Sequence, residues 1–267
     1  SLDTTFNPGA NWTVNCLAVQ TNGAILVAGY FGNLGGQARS RIGRLNADGS
    51  LDTTFNPGAS WTVNCLAVQA DGRILVGGGF GYLGGQNRVG LARLDAAGNV
   101  DATFNPGANG SVSSLAVQAD GRILVGGNFT VLGGQTRNSL GRLNTDGSLD
   151  LAFHPGANNT VYSIGLQADD RILVGGSFTV LGGQTRHCLG RLNADGTADT
   201  IFNPGAAGGD GPAVYSLALQ SDGRLLVGGQ LTTLNGQSRA NVGRLNAIEP
   251  ATHSLHVEGT TITWLRG

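Results

Sequence analysis

Arginine side chains recur at fixed positions along this sequence and are well suited to bind a polar ligand. Each follows a Gln by two residues, and the five are Arg39, Arg88, Arg137, Arg186 and Arg239. Because a guanidinium presents a rigid fork of donors, these residues can hydrogen-bond sugar hydroxyls or carboxylates. The alternative is structural, since a residue present in every copy of a repeat is equally suited to tie one copy to the next.

A second candidate site consists of aromatic and amide residues at positions where the copies differ. Trp12 and Trp61 occupy the same loop in the first two copies, and the strand after this loop begins with Asn15, Asn64, Tyr162 and Tyr215 in four of the copies. Such side chains combine apolar area with a polar handle, so they predict a surface for a sugar or a peptide. The alternative is that the two Trp side chains only cover the edge of the fold.

Residues for catalysis or metal binding lack the required spacing. The four His residues occur singly, and no Ser-His-Asp set, carboxylate pair or phosphate-binding loop is recognisable. Residues 46–52 place oxygen-bearing side chains before Gly49 as a calcium loop does, but Arg44 stands at the first ligand position and no Glu follows. We therefore expect no enzyme activity, no metal site and no cofactor.

These residues are positioned by an internal repeat. The motif Phe-Asn-Pro-Gly, with His for Asn in the fourth copy, begins at Phe6, Phe55, Phe104, Phe153 and Phe202. A repeat of this length, with strand and turn signals but no helix signals, is typical of a propeller blade. In the second copy, strands are predicted near residues 63–68, 74–78, 91–94 and 100–104, and Asp71-Gly72 predicts a two-residue hairpin turn.

The phase of the repeats predicts how the fold ends. The chain starts within a fourth strand, and the fifth copy stops after its third strand. We therefore predict an all-β, five-bladed propeller of four-stranded antiparallel blades, with the ring closed by the N-terminal strand. Cross-strand pairs of Arg44 with Asp52, and their equivalents, are expected to be structural, with Asp3 as the partner of Arg244. The propeller is predicted to span residues 1–248, with repeats starting near residues 1, 50, 99, 148 and 197, and residues 249–267 form a hairpin-like tail.

Composition narrows the functional classes. The net charge is −1 and only 12% of residues are charged, which argues against a nucleic-acid partner. No apolar run is long enough for a membrane-spanning helix, so no membrane insertion is expected. The chain contains no Met, so we expect it to be a piece of a longer protein. Cys16 and Cys65 occupy a position that is Ser in later copies, which predicts small buried side chains rather than disulfides.

The motifs LDTTFNPG, LAVQADGRILVGGGF and GLARL resemble the bacterial delta-60 repeat, a family of uncharacterised function. The resemblance covers residues 1 to about 247 and implies a propeller in a secreted or surface-exposed bacterial protein, with no assigned catalysis. We expect a non-enzymatic extracellular or cell-surface binding or scaffold module with a protein or glycan ligand. The alternatives are a lectin with repeat-related sites and a structural subunit of a surface assembly, and the oligomeric state is left open.

Overall fold

The computed structural model describes residues 1 and 3–246, and the backbone of residues 254–258 and 261–265. The described residues form strands and turns without a helix. Five three-stranded antiparallel sheets follow one another along the chain, one in each repeat. This confirms the prediction of an all-β propeller fold with five repeats.

Each blade contains an inner, a middle and an outer strand, and the middle strand pairs with both others. The inner strands are Val14–Val19, Val63–Val68, Ser111–Val117, Val161–Leu166 and Ala213–Leu219. The middle strands are Ile25–Gly29, Ile74–Gly78, Ile123–Asn128, Ile172–Gly176 and Leu225–Gln230. The outer strands are Ile42–Leu45, Leu91–Leu94, Leu140–Leu143, Leu189–Leu192 and Val242–Leu245.

Short hairpins connect the middle and outer strands. They pair Asn33–Leu34 with Gln37–Ala38, Tyr82–Leu83 with Gln86–Asn87, Val131–Leu132 with Gln135–Thr136, Val180–Leu181 with Gln184–Thr185, and Thr233–Leu234 with Gln237–Ser238. Ala206–Ala207 pairs with the last of these hairpins. Near the C-terminus, Ser254–Glu258 pairs antiparallel with Thr261–Leu265, and the division at residue 248 stays a prediction.

The turn between the inner and middle strands differs from the two-residue turn that we predicted. In the second blade the Gln69 amide donates to the Arg73 carbonyl at 2.8 Å, which leaves three residues in the turn. Only the last of them, Gly72, has a positive φ, at 81°. This geometry is that of a three-residue hairpin loop, in which a single left-handed residue completes the reversal. The same position in the fourth blade is Asp170, with a φ of 64°.

The predicted fourth strand is reduced to a single bridge in the first four blades. In the second blade, Leu94 and Val100 form this bridge, and no regular strand follows it. The Asp101 carboxylate accepts the Thr103 amide at 2.9 Å, which bends the chain two residues later. The blades therefore have three strands and a short outermost segment, which we call the fourth segment.

An arginine on each outer strand joins the fourth segment to the following blade. Arg93 donates to the Asp101 carboxylate at 2.9 Å, and its guanidinium lies 4.4 Å from the centre of the Phe104 ring. It also donates to the Thr145 carbonyl of the third blade at 2.7 Å. Ion pairs at the equivalent positions join Arg44 to Asp52, Arg142 to Asp150, and Arg191 to Asp199. The structural role predicted for these pairs is confirmed.

The hydrophobic cores lie between blades. Leu75 and Leu91 of the second blade pack against Val112, Ile123 and Val125 of the third. Equivalent clusters fill the other three junctions between successive blades. Because burying a large apolar side chain contributes roughly 1.5–3 kcal/mol, stability depends on the stacking of neighbouring blades.

The ring closure by the N-terminal strand is not detected among the described residues, and Leu2 of that strand lies outside them. Inner strands of successive blades contact each other from the first blade to the fifth, but no comparable contact joins the fifth blade to the first in the described chain. Asp3 bonds to Thr5 rather than to Arg244, and Arg244 is exposed. The predicted pair of Asp3 and Arg244 is therefore wrong for this structure.

The cysteines are small buried or half-buried side chains, as predicted. All three thiols are free, and Cys65 is buried in the junction between the second and third blades. Burial raises the pKa of the Cys16 thiol to about 12. A thiol with so high a pKa is a poor nucleophile at neutral pH.

Candidate ligand-binding face

Three exposed aromatic side chains form one cluster at the start of the array. The Tyr30 ring lies edge-to-face between Trp12 and Trp61, with ring centroids 6.4 Å and 5.4 Å away. Trp12 is 66% exposed and Trp61 is 53% exposed, so neither is part of a core. The Arg41 guanidinium lies over the Tyr30 ring, 5.6 Å from its centroid, and makes a cation–π contact with it. We call Trp12, Tyr30 and Trp61 the aromatic cluster.

Two adjacent loops bring the cluster together. The loop after each Pro-Gly lies against the loop after each middle strand, because the Asn11 carboxamide oxygen accepts the amides of Gly32 and Asn33 at 2.9 Å. The Tyr30 amide also donates to the Thr13 carbonyl at 2.8 Å. The acceptor side chain of Asn11 is replaced by Ser60, Asn109 and Asn158 in the next three blades, so the loop pair keeps its path while neighbouring positions vary. The pair of loops is therefore repeated from blade to blade, whereas the aromatic cluster consists of side chains found only in the first two blades.

Tyr30 belongs to the site although sequence reasoning did not identify it. The equivalent positions in the later blades carry Gly79, Asn128, Ser177 and Gln230. This variation is the same signal that identified Trp12 and Trp61, but it occurs in the second loop of the pair. Because the two loops are far apart in sequence, only the structure places Tyr30 between the two Trp rings.

A cleft between the second and third blades continues from the aromatic cluster. Trp61 forms one wall, Asn109 and Ser111 contribute polar groups, and the cleft has a volume of about 420 Å³. Gly79 leaves room for the Trp61 ring, since a Cβ atom there would lie 3.2 Å from its Cδ1 atom. An aromatic wall beside amide and hydroxyl groups suits a ligand with both apolar faces and polar edges.

The two predicted amides serve mainly to join blades. The inner strand of each blade has an irregular register at Asn15, Asn64, Ser113, Tyr162 and Tyr215. The Asn15 side chain donates to the Val63 carbonyl at 3.1 Å, and the Asn64 side chain donates to the Val112 carbonyl at 3.0 Å. A bulge redirects its side chain, and here it directs both amides toward the following blade.

The two predicted tyrosines form a pair at the other end of the array. The rings of Tyr162 and Tyr215 are edge-to-face with centroids 5.2 Å apart. The Tyr215 hydroxyl lies 3.4 Å from the Gln230 side-chain oxygen, and the Gln230 side chain donates to the Asp210 carbonyl at 2.6 Å. Tyr162 and Tyr215 therefore do not join the aromatic cluster. The predicted surface consists of two separate aromatic groups.

The repeated Gln-x-Arg arginines lie inside their own blades. Arg39 is buried, and its guanidinium donates to the carbonyls of Ala38, Asp52 and Thr53 at 2.8–3.3 Å. Buried equivalents with the same type of carbonyl partners are Arg88, Arg137 and Arg186. They hold the fourth segment of their own blade. The structural alternative expected each arginine to tie its blade to the next, and these contacts do not do so. Arg239 is exposed and donates to the Ser238 carbonyl at 2.6 Å.

The carboxylates of the acidic turns accept hydrogen bonds from residues of the same turn. The Asp48 carboxylate accepts the Ser50 hydroxyl at 2.7 Å and the Ser50 amide at 2.9 Å, and these bonds lower the pKa of Asp48. In residues 1 and 3–246, no cluster of three His, Cys, Asp or Glu side chains is arranged to hold a metal ion. The bonds within the turn account for the Asp-Gly sequence at residues 48–49.

The repeated antiparallel blades define the class of this protein as a β-propeller repeat protein. The sequence matches the family described as domain of unknown function (DUF5122) beta-propeller over residues 20–55, 69–104, 118–153, 167–202 and 220–247. The chain belongs to this family. No curated protein matches it.

Solved structures with the same fold come from several kinds of protein. The WD40 beta-propeller domain of Doa1 is 17% identical, with a TM-score of 0.59 over 88% of this chain and 64% of that one. The extracellular domain of BT4673 from B. thetaiotaomicron is 19% identical, with a TM-score of 0.54 over 87% of this chain and 27% of that one. Virginiamycin B lyase from Staphylococcus aureus is 15% identical, with a TM-score of 0.52 over 95% of this chain and 69% of that one.

These similarities establish the fold alone. This chain spans less than two thirds of the Doa1 domain and about a quarter of the B. thetaiotaomicron domain. Within the described residues, no helix has the length and apolar character needed to cross a membrane.

Proposed function

We propose that this chain is a non-enzymatic binding module of an extracellular or cell-surface protein, and that its aromatic cluster binds carbohydrate. The observation that carries the proposal is the exposure of Trp12 and Trp61 around Tyr30. Large aromatic side chains left in water at one place are costly unless a partner covers them. Their flat faces suit the apolar faces of sugar rings, and in the cleft beside Trp61 the Ser111 hydroxyl can donate to a sugar hydroxyl.

The location is part of the proposal and has two supports. One is the resemblance to delta-60 repeats, which implies a secreted or surface-exposed bacterial protein. The other is the similarity in fold to the extracellular domain of BT4673. The lyase activity named for the S. aureus neighbour belongs to that protein. We propose binding without catalysis here because the lowered carboxyl pKa values belong to aspartates whose side chains bond within turns or to arginines of the blades.

The proposal is tested with a glycan array that compares three proteins. The wild type is expected to bind a defined set of glycans, and the variant Trp12→Ala/Trp61→Ala is expected to lose that signal. Tyr82→Ala is the matched control, because Tyr82 is an exposed aromatic residue outside the cluster and the adjoining cleft. It is expected to bind as the wild type does.

Two results would contradict carbohydrate binding at this site. The first is a wild-type array without specific signal, which would favour a protein ligand for the same surface. The second is a signal that the Trp12→Ala/Trp61→Ala variant retains in full. Because both Trp side chains are exposed, the double variant is expected to fold, and circular dichroism verifies this.

A further inference from the structure

Arg41 occupies a position at which the other blades carry smaller side chains. It directly precedes the outer strand of the first blade, and the equivalent residues are Gly90, Ser139, Cys188 and Asn241. All five residues have a φ between 61° and 70°. This left-handed conformation suits Gly and Asn and is uncommon for a long side chain. The repeated backbone therefore does not require an arginine here, and its presence needs another reason.

The side chain at this position faces the following blade. A Cβ atom on Gly90 would lie 2.8 Å from the Gly110 carbonyl oxygen of the third blade. The Cys188 thiol donates to the Pro212 carbonyl of the fifth blade at 3.2 Å. The equivalent position in the first blade therefore faces the loop of the second blade that carries Trp61.

The charge of Arg41 is not compensated by the protein around it. The arginine of the first outer strand pairs with Asp52, whereas no carboxylate in the part of the chain that the structure describes pairs with Arg41. No described group accepts a hydrogen bond from its guanidinium, and its Nε atom is buried without a partner. The loops that form the aromatic cluster, residues 9–13, 29–41 and 58–62, contain no Asp or Glu. The cluster therefore lies beside an unpaired positive charge.

This charge and the stacking surfaces meet at one ring. The Arg41 guanidinium lies over the Tyr30 ring, 5.6 Å from its centroid, and the same ring contacts Trp12 and Trp61. A guanidinium over an aromatic ring keeps its N–H donors in its own plane, where they stay free for a ligand. A ligand that lies across the cluster therefore meets flat aromatic faces and a fork of donors together.

We propose that the carbohydrate bound by the aromatic cluster is acidic, with a sugar carboxylate that pairs with Arg41. This inference rests on the proposed function and names the class of sugar. A uronic acid combines an apolar ring face, suited to Trp12 or Trp61, with a planar carboxylate at the edge of the ring. A guanidinium binds a carboxylate through two parallel hydrogen bonds, and such charge-assisted bonds are stronger than neutral ones. A neutral sugar would leave the guanidinium without this partner.

Isothermal titration calorimetry with matched pairs of oligosaccharides tests the inference. The probes are trisaccharides of galacturonic, guluronic and mannuronic acid, each measured beside its methyl ester, which keeps the ring and removes the charge. At least one acid is expected to bind the wild type about tenfold more tightly than its ester does, the contribution of one charge-assisted pair. Raising the salt concentration should weaken binding of the acid and leave binding of the ester unchanged.

Two variants separate the charge of Arg41 from its place in the fold. Arg41→Asn introduces the residue found in the fifth blade, where Asn241 has a φ of 62°, so this variant is expected to fold. It should bind acid and ester equally, with the affinity that the wild type has for the ester. The matched control is Arg73→Gln, because Arg73 is an exposed arginine in the turn between the inner and middle strands of the second blade. It should keep the preference of the wild type for the acid.

Three outcomes would overturn the inference. The first is equal binding of each acid and its ester by the wild type. If the Trp12→Ala/Trp61→Ala variant then loses this binding, the carbohydrate site stands and only the acidic ligand is wrong. The second is a preference for the acid that Arg41→Asn retains or that Arg73→Gln also loses. The third is the absence of binding to every probe, which together with a blank glycan array would contradict the carbohydrate site as well.

Discussion

At the scale of single residues, the arginine on each outer strand stabilises the array through more contacts than its ion pair alone. Arg93 contacts a carboxylate, an aromatic ring and a carbonyl of the next blade, and its side chain is 4% exposed. Removing one member of a buried charge pair leaves the other without compensation, and this is costly. The arginine therefore stabilises both the fourth segment and the junction.

We expect Arg93→Met to lower the free energy of unfolding by about 3 kcal/mol, because the Asp101 carboxylate and the Thr145 carbonyl lose their buried donor. The matched control is Arg224→Met, which removes an exposed arginine paired with Asp222 at 3.1 Å. Exposed pairs of this kind contribute less than ~1 kcal/mol. Urea denaturation of both variants measures the difference. Equal losses for the two would contradict the role assigned to Arg93.

The aspartates of the fourth segments predict how stability depends on pH. The hydrogen bond from the Thr54 hydroxyl, together with Arg44, lowers the pKa of Asp52 to about 2. A depressed folded-state pKa stabilises the fold above the unfolded pKa, and this contribution is lost as the pH falls through the folded pKa. We therefore expect the free energy of unfolding to fall between about pH 4 and about pH 2. Urea denaturation at a series of pH values checks this, and a flat profile over that range would contradict it.

At the scale of elements, the outer turns of the second, third and fourth blades each receive a Phe ring from the fourth segment of the blade before. A Cβ atom on Gly147 would lie 2.6 Å from the Phe104 ring, and Gly147 has a φ of 94°. The turn therefore requires glycine both for its backbone conformation and for the space that the ring occupies. This contact is repeated where Phe55 meets Gly98 and where Phe153 meets Gly196.

We expect Gly147→Ala to destabilise the protein more than Gly134→Ala. Gly134 also has a positive φ, at 74°, but a Cβ there would meet nothing within 4 Å. Its replacement should cost about 1 kcal/mol of backbone strain, whereas Gly147→Ala adds roughly 1–3 kcal/mol of overpacking against Phe104. Thermal unfolding monitored by circular dichroism compares the two variants. A similar loss in both would show that the Phe104 ring moves aside without cost.

Local signals in the sequence predicted the elements but not their details. Alternation and β-branched residues identified the three main strands, and Asp-Gly identified the position of the first turn. The sequence did not reveal that Asp101 bends the fourth strand into a single bridge, because this depends on a side-chain bond to the Thr103 amide. It likewise did not place Tyr30 between Trp12 and Trp61, since two loops distant in the sequence must first be brought together.

At the scale of the whole molecule, the repeat phase predicted a closed ring, and the described residues form the four junctions between successive blades. The phase gives the number and order of the blades, but closure depends on the angle at each junction, which no single residue determines. The angle results from many contacts between large apolar side chains, and the sequence pattern is the same for an arc and for a ring. The aromatic cluster of the binding face lies on the first two blades.

Hydrogen exchange measured by mass spectrometry tests most directly whether contacts between neighbouring blades stabilise the array. The middle strands of the terminal blades, Ile25–Gly29 and Leu225–Gln230, should exchange faster than Ile123–Asn128. The reason is that, among the described residues, each terminal blade packs against one other blade, and local opening is easier where fewer apolar contacts are lost. Equal protection of all five blades would contradict this expectation and favour a ring closed by the N-terminal strand.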